Sequence, residues 1–149
     1  MWKLLMRKIH RFLKLSLTEK FLLMKCAFYL VVFRLVLNTV SFKKLLHYFR
    51  KKEPKDISSS RRPAIEQIVW AVELTSQYVP GTTCLTKALT AQRLFIQYGY
   101  ETDLKIGVAK NGEQPFAAHA WIEMDGQPLL GELKDLDRYH ELLTIKGQR

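Results

Sequence analysis

The chain has little cysteine, and this limits the compartment in which we expect it. Two cysteines occur among its 149 residues, Cys26 in a hydrophobic stretch and Cys84 at the predicted start of a helix. Two cysteines in such different settings do not form the disulfide framework that holds small secreted domains together. We therefore expect a reducing, cytoplasmic compartment.

Metal-ligand spacing and phosphate-binding loops are lacking as well. The cysteines and the four histidines show no spacing of the kind that binds zinc; the histidines are His10, His47, His119 and His140. No glycine-rich phosphate loop of the usual kind is present. We expect neither a metal nor a cofactor.

Acidic residues are scarce in the first third of the chain. Residues 1–55 contain 14 Lys or Arg and 2 Asp or Glu, a balance of +12, whereas residues 56–149 contain 10 and 12, a balance of −2. The basicity therefore belongs to the N-terminal segment. A segment of this kind could meet a nucleic acid, an anionic membrane surface, or an acidic peptide or protein.

Long uncharged hydrophobic runs are also lacking. Lys25 and Arg34 interrupt the apolar stretch at 21–40, and the run between them is eight residues, against roughly 20 for a membrane-spanning helix. Residues 1–17 place a cation at about every third or fourth position, which leaves no continuous apolar region of a signal peptide. We interpret both stretches as amphipathic helices. The helix that contains the stretch at 21–40 is apolar on almost every side, so we expect it to be largely buried.

The hydrophobic periodicity predicts helices first and strands afterwards. Helices are predicted at 2–15, 19–38, 42–50, 64–77 and 83–98. Thr18 is the expected N-cap of the second helix and Gly99 the C-terminal cap of the last. Strands are predicted near 104–108 and at 116–124 and 128–133, with turns at Asn111-Gly112 and Asp125-Gly126. The polar tail from residue 134 is expected to be peripheral. Helices followed by an antiparallel sheet indicate an α+β fold.

A polar linker at 51–63, with two prolines and a serine run, separates the two parts of the chain. With 48% hydrophobic residues, the chain can build a real core. We place a basic helical subdomain at 1–56 and a second domain at 57–149. The helical part is expected to pack on the core with its cations outward, or to offer a docking surface for a partner or membrane.

Cys84 is the first candidate for chemistry. The turn at Pro80-Gly81 leads into its helix, and Thr82 or Thr83 could cap that helix. Unpaired N–H groups and the macrodipole at a helix start favour the charged thiolate, which is the nucleophilic form of cysteine. The alternative is that Cys84 is a small buried apolar residue, as most free cysteines are.

His119 is the candidate base for Cys84, and the predicted strand register makes Glu132 the candidate acid that orients it. A thiolate nucleophile needs a base that also protonates the leaving group, and histidine suits both roles. If Asp125-Gly126 forms a two-residue turn, Met124 pairs with Gln127 and partner numbers sum to 251. His119 then lies opposite Glu132, whose carboxylate could orient the imidazole. Asp125 is expected to be a turn residue only. A longer or bulged turn would shift this register.

Two further residues are weaker candidates. Trp121 follows His119 by two residues on the same strand face, where it could shield the site from water or simply fill the core. The backbone N–H of Cys84 is the natural oxyanion donor, and Gln77 could be a second donor. On its own, His119 could equally be a hydrogen-bonded core histidine.

These residues resemble the transglutaminase-like proteases of lasso-peptide biosynthesis, the leader peptidases, over roughly residues 17–133. The most specific matches are Cys84-Leu85, Ala88-Leu89-Thr90-Ala91-Gln92-Arg93-Leu94, Ile106-Gly107-Val108, Ala118-His119-Ala120-Trp121-Ile122-Glu123 and Asp125-Gly126. Leu17-Thr18-Glu19-Lys20 and Phe42-Lys43-Lys44-Leu45 resemble the family's helical front end.

The resemblance implies a helical N-terminal part packed on a transglutaminase/papain-like core, with the catalytic cysteine at a helix N-terminus against a small antiparallel sheet. It implies a cysteine peptidase with Cys84 as nucleophile and His119 as base, and Glu132 where the family often has Asp. Its reaction would be removal of the leader from a ribosomally made lasso-peptide precursor, a step in the maturation of antibiotic-type peptides. A separate cyclase then closes the ring.

The same resemblance implies the partners. Many members work with a small leader-recognition protein, and residues 1–60 do not resemble that module, so we expect it as a separate partner that could dock on the basic segment. The precursor and the cyclase are the other expected partners. We expect no nucleic-acid partner, whereas peripheral membrane contact stays open. Two alternatives stay open for the function: a transglutaminase-like acyl transferase, and a non-catalytic basic adaptor with a degenerate protease fold.

Overall fold

The computed structural model describes residues 15–50, 62–109, 117–131 and 136–147. Its helices are α1 (Leu17–Thr39), α2 (Phe42–Arg50), α3 (Ile65–Ser76) and α4 (Cys84–Gln97), and its strands are β1 (Asp103–Ala109), β2 (Ala117–Met124), β3 (Gln127–Leu130) and β4 (His140–Lys146). A short 3₁₀ turn, Leu136–Arg138, precedes β4. The predicted helix at 2–15, most of the linker and the Asn111-Gly112 turn lie outside the described residues.

Helix α1 begins at a different cap from the one that the sequence suggested. Ser16 is the N-cap: its Oγ accepts from the backbone N–H of Glu19 at 3.2 Å, and Oε2 of Glu19 accepts from the Ser16 N–H at 2.8 Å. This reciprocal capping box needs an acceptor three residues after the cap. Thr18 has Phe21 at that position, so the prediction of Thr18 as cap is wrong.

The expectation that this helix is largely buried is wrong for one of its faces. Leu22, Cys26, Leu30 and Phe33 are buried on the side that packs against α3 and α4. The opposite side exposes a line of large apolar residues: Leu17, Phe21, Met24, Phe28, Val31 and Leu35. By length and composition alone α1 could also cross a membrane. In this fold its buried face belongs to the hydrophobic core.

Helix α4 ends at the predicted glycine. The N–H of Gly99 donates to the Ile96 carbonyl at 3.1 Å and that of Tyr100 to the Phe95 carbonyl at 2.8 Å, with φ +74° at Gly99. These two bonds are the Schellman motif, in which a left-handed residue closes the helix. Gly99 therefore ends α4 and turns the chain toward β1.

The strands form one antiparallel sheet in the order β3-β2-β1-β4. Strand β4 lies in the polar tail, so the expectation of a peripheral tail is wrong. It pairs with β1 along its length, from Val108–His140 to Asp103–Lys146, and Ile145 is buried. The sequence signal was weak, because Glu141 and Leu142 are exposed and the inward alternation is confined to Leu143 and Ile145.

The sheet and the helices share a hydrophobic core. Buried residues of α1, α2, α3 and α4 belong to one cluster with Leu104, Ile122, Leu130 and Ile145 of the sheet. The α+β arrangement agrees with the sequence-based prediction. The division into 1–56 and 57–149 stays a prediction, and α1 contributes to the same core as the second part.

A buried polar pair ties α4 to the sheet and gives a stability prediction. Nε2 of Gln92 donates to the Thr102 carbonyl, and Oγ1 of Thr102 donates to Oε1 of Gln92, both at 2.9 Å. Thr102→Val keeps the shape but leaves the buried Gln92 oxygen without its donor. We expect a loss of about 1–3 kcal/mol in the free energy of unfolding, measured by urea denaturation. Thr18→Val, at an exposed threonine, is the control and should change the free energy of unfolding little. Equal stability of the Thr102 variant and the parent would contradict the buried hydrogen bond between Thr102 and Gln92.

Candidate active site

Cys84 is the first residue of α4, as the sequence predicts, and two threonines cap the N-terminus of this helix. Thr83 is the N-cap: its Oγ1 accepts from the backbone N–H of Thr86 at 3.3 Å, and Oγ1 of Thr86 accepts from the N–H of Thr83 at 2.8 Å. Threonine here takes the place of the usual Glu or Gln of a capping box. The Cys84 thiol is free and partly exposed. Cys84 therefore lies at the positive end of a capped helix.

The turn before Cys84 is held from two sides. Oγ1 of Thr82 donates to the Val79 carbonyl at 2.6 Å. The guanidinium of Arg34, from α1, lies directly against Gly81, where a Cβ atom would collide with it. Gly81 also has a positive φ of +72°. The basic N-terminal part thus contacts the turn that places the thiol.

His119 lies on β2, and its hydrogen bond determines which ring nitrogen carries the proton. Nε2 is 2.6 Å from the carbonyl oxygen of Gly131. A carbonyl can only accept, so Nε2 must donate. In the neutral imidazole, Nδ1 then keeps its lone pair and is the nitrogen available as a base.

Aromatic rings pack against this imidazole. The Trp121 indole is stacked nearly parallel to it, with ring centroids 6.1 Å apart, and the Tyr139 ring is tilted against it at 5.5 Å. Trp121 is 4% exposed. The two alternatives for Trp121, shield and core residue, therefore describe the same buried ring. Tyr139 had no signal in the sequence, because it is close to His119 only through the packing of the segment before β4.

The Trp121 ring is anchored in turn by charges on the neighbouring strands. Its Nε1 donates to Oε1 of Glu123 at 2.7 Å, and Nζ of Lys105 lies 2.9 Å from Oε2 of Glu123 and 3.0 Å from Oε2 of Glu141. Burial alone raises the pKa of Glu123, but the hydrogen bond from Trp121 and the ion pair with Lys105 outweigh it and hold the pKa below its usual value. Hydrogen bonds to both carboxylates raise the pKa of Lys105. Glu123 and Lys105 therefore stay charged at neutral pH, and the ion pairs of Lys105 link β2, β1 and β4.

The register that led to Glu132 is wrong beyond the first pairs of the hairpin. Met124–Gln127 and Glu123–Pro128 pair as predicted, but the next pair is Ile122–Leu130. Leu129 is passed over, as in a β-bulge, and this shifts the register by one residue. His119 therefore cannot be assigned to Glu132 by direct pairing.

Glu132 itself lies outside the described residues, so its place as third catalytic residue stays a prediction. The orienting acceptor that the structure does place on His119 is the Gly131 carbonyl. Gly131 has φ +80°, and a Cβ there would stand 2.9 Å from the Ala120 carbonyl oxygen. Only glycine fits this close approach. Asp125 is exposed in the turn, as expected.

Cys84 and His119 line the same cavity, which has a volume of about 280 Å³. The other lining residues are Thr82, Thr83, Lys87, Ala120, Leu130 and Gly131. Nζ of Lys87 pairs with Oε2 of Glu73 at 2.9 Å. Gln77, at the end of α3, is exposed and does not line this cavity, so its prediction as an oxyanion donor gains no support.

This arrangement supplies the parts of nucleophilic thiol chemistry. A partly exposed thiol, an imidazole with an available Nδ1 and the positive N-terminus of helix α4 meet at one cavity. Within the described ranges, no group of three His, Cys, Asp or Glu side chains is placed to hold a metal ion.

The two thiols should differ sharply in reactivity. Burial raises the pKa of Cys26 to about 12, so its thiolate fraction at pH 8 is on the order of 10⁻⁴. We expect iodoacetamide to label Cys84 and to spare Cys26 in the folded protein, and to label both in denaturant, as read by peptide mass spectrometry. Labelling of Cys26 before Cys84 under native conditions would contradict this.

The ring proton of His119 gives a second test. Long-range ¹H–¹⁵N NMR should show that the neutral imidazole of His119 is the Nε2–H tautomer, because the Gly131 carbonyl accepts from that nitrogen. The hydrogen bond should also slow exchange enough to make the ring proton visible, whereas the ring protons of exposed His47 should exchange too fast. An Nδ1–H tautomer at His119 would refute the geometry.

A comparison with family models places the chain among known proteins. Residues 27–144 match the family model described as Transglutaminase-like superfamily, a range that includes Cys84, His119 and most of the fold. Neither the comparison with curated proteins nor that with solved structures gave a match. The match covers well over half of the sequence, and the chain therefore belongs to the transglutaminase-like superfamily.

Proposed function

We propose that this protein is a cysteine peptidase that removes the leader from a ribosomally made lasso-peptide precursor. The observation that carries the proposal is the meeting of Cys84 and His119 at one cavity, with the histidine tautomer that leaves Nδ1 as base. The superfamily generally consists of cysteine-dependent enzymes and includes protease and acyl-transfer activities. The motifs around both residues add the resemblance to leader peptidases.

The reaction would proceed by covalent catalysis. The Cys84 sulfur attacks the carbonyl carbon of the last leader residue, and His119 takes the thiol proton and delivers it to the leaving amine of the core. The carbon–nitrogen bond breaks and a thioester with the leader forms. Water, deprotonated by His119, then attacks the thioester and releases the leader acid and the thiol. The backbone N–H of Cys84 would stabilise the oxyanion in both steps.

The partners follow from the reaction. The freed core amine is the group that a separate lasso cyclase would join to a side-chain carboxylate. A separate leader-recognition protein would deliver the precursor, and the reaction would take place in the cytoplasm. Glu132, next to Gly131, would supplement the carbonyl that orients His119.

The test is processing of a lasso precursor from the same genome, with its recognition protein, followed by mass spectrometry. We expect free leader and free core from the parent and no product from Cys84→Ala. His119→Ala should be slower by roughly 10²–10⁴-fold. Glu132→Ala should lose less than His119→Ala because the Gly131 carbonyl remains, and Asp125→Ala, in the exposed turn, is the matched control with parental rate.

The alternatives predict different products. An acyl transferase would yield leader joined to an added amine in place of the free leader acid. A non-catalytic adaptor would leave processing undiminished in Cys84→Ala, which would refute both enzymatic readings. Loss of activity in Asp125→Ala with a parental Glu132→Ala would show that Glu132 is not the third residue.

A further inference from the structure

Helix α1 carries a continuous apolar surface that nothing in the proposed reaction uses. Its six members, defined here as the α1 stripe, are Leu17, Phe21, Met24, Phe28, Val31 and Leu35. Each is between 47% and 84% exposed. Their spacing alternates between three and four residues, so they form one line of about 27 Å along the helix. Single exposed apolar residues are ordinary, but a line of six marks an interaction surface.

The other side of the helix determines how this surface can be used. Leu22, Cys26, Leu30 and Phe33 hold α1 in the protein core. The α1 stripe therefore faces outward as a fixed ridge, and α1 cannot be surrounded by lipid without leaving the core. A contact on one side only, parallel to a surface, fits this geometry.

The charges around the α1 stripe indicate the chemistry of what it meets. With 100° per residue, Lys20 and Lys25 lie about 60° and 80° to opposite sides of the line, and the Lys25 ammonium donates to the Tyr98 hydroxyl at 3.2 Å. Exposed Lys43 and Lys44 follow on α2. Residues 15–50 contain six Lys or Arg and one acidic residue, Glu19. An apolar line bordered by cations is the pattern of helices that lie in the interface of anionic membranes.

We propose that the α1 stripe inserts into the surface of an anionic lipid bilayer, with the exposed Lys43 and Lys44 at the headgroups. A second copy of the chain would bring another +12 charge from residues 1–55 against the first, which like-charge repulsion disfavours. Covering by residues 1–14 would likewise add five cations and no acid. An anionic bilayer satisfies both the apolar line and the positive charge.

The test is co-sedimentation of the full chain with vesicles. The protein should pellet with phosphatidylglycerol/phosphatidylcholine vesicles and not with pure phosphatidylcholine, and added salt should weaken the binding. Phe21→Ser with Phe28→Ser should lower the partition coefficient roughly tenfold or more, because two exposed rings no longer insert. Lys43→Glu with Lys44→Glu should weaken binding to the anionic vesicles, because it removes two positive charges and adds two negative ones.

Leu142→Ser is the matched control, since Leu142 is 66% exposed on β4 and not on α1. It should bind as the parent does, and equal thermal unfolding of all variants would show that the substitutions leave the fold intact. No pelleting with anionic vesicles, or parental binding of the Phe21/Phe28 variant, would overturn the proposal. Two other results would also overturn it. One is a dimer, seen by light scattering, that the Phe21/Phe28 variant dissociates. The other is protection of Met24 from radical oxidation in the monomer without vesicles, because that result would indicate that residues 1–14 cover the α1 stripe.

Discussion

The candidate site depends on the capped start of α4. The reciprocal hydrogen bonds of Thr83 and Thr86 end the preceding turn and begin the helix at Cys84. The remainder of α4 is buried against the other helices and the sheet. The helix therefore cannot shift without breaking the core, and the thiol at its first residue has a fixed position relative to β2. Arg34, which packs against the turn before it, extends this dependence to α1.

The second half of the site is built from backbone as much as from side chains. The β-bulge at Leu129 and the left-handed Gly131 bring a carbonyl oxygen to His119. A neutral imidazole that donates from Nε2 keeps the Nδ1 lone pair, so this peptide carbonyl fixes the tautomer of His119. Trp121, itself anchored by Glu123, keeps the ring from turning.

Sequence patterns predicted the elements that carry local signals. The helix at Cys84 and its glycine cap, the basic helix at 42–50 and the Asp125-Gly126 turn all agree with the structure. The errors arose where the evidence is not local. A bulge changes which residues pair across two strands without changing the hydrophobic alternation. Strand β4 forms because its backbone pairs with the edge of β1, which its own sequence does not indicate. Ser16 replaced Thr18 because only Ser16 has a Glu three residues later.

By itself, the sequence determined the chemical types and their local settings: a cysteine at a helix start, a histidine on a strand, and an excess of positive charge in residues 1–55. These follow from capping, periodicity and composition, which act over a few residues. Only the tertiary structure decided that Cys84 and His119 share a cavity, that Gly131 orients the ring, and that the α1 stripe faces outward. These depend on how distant segments pack, and packing selects among many arrangements that the same local patterns allow.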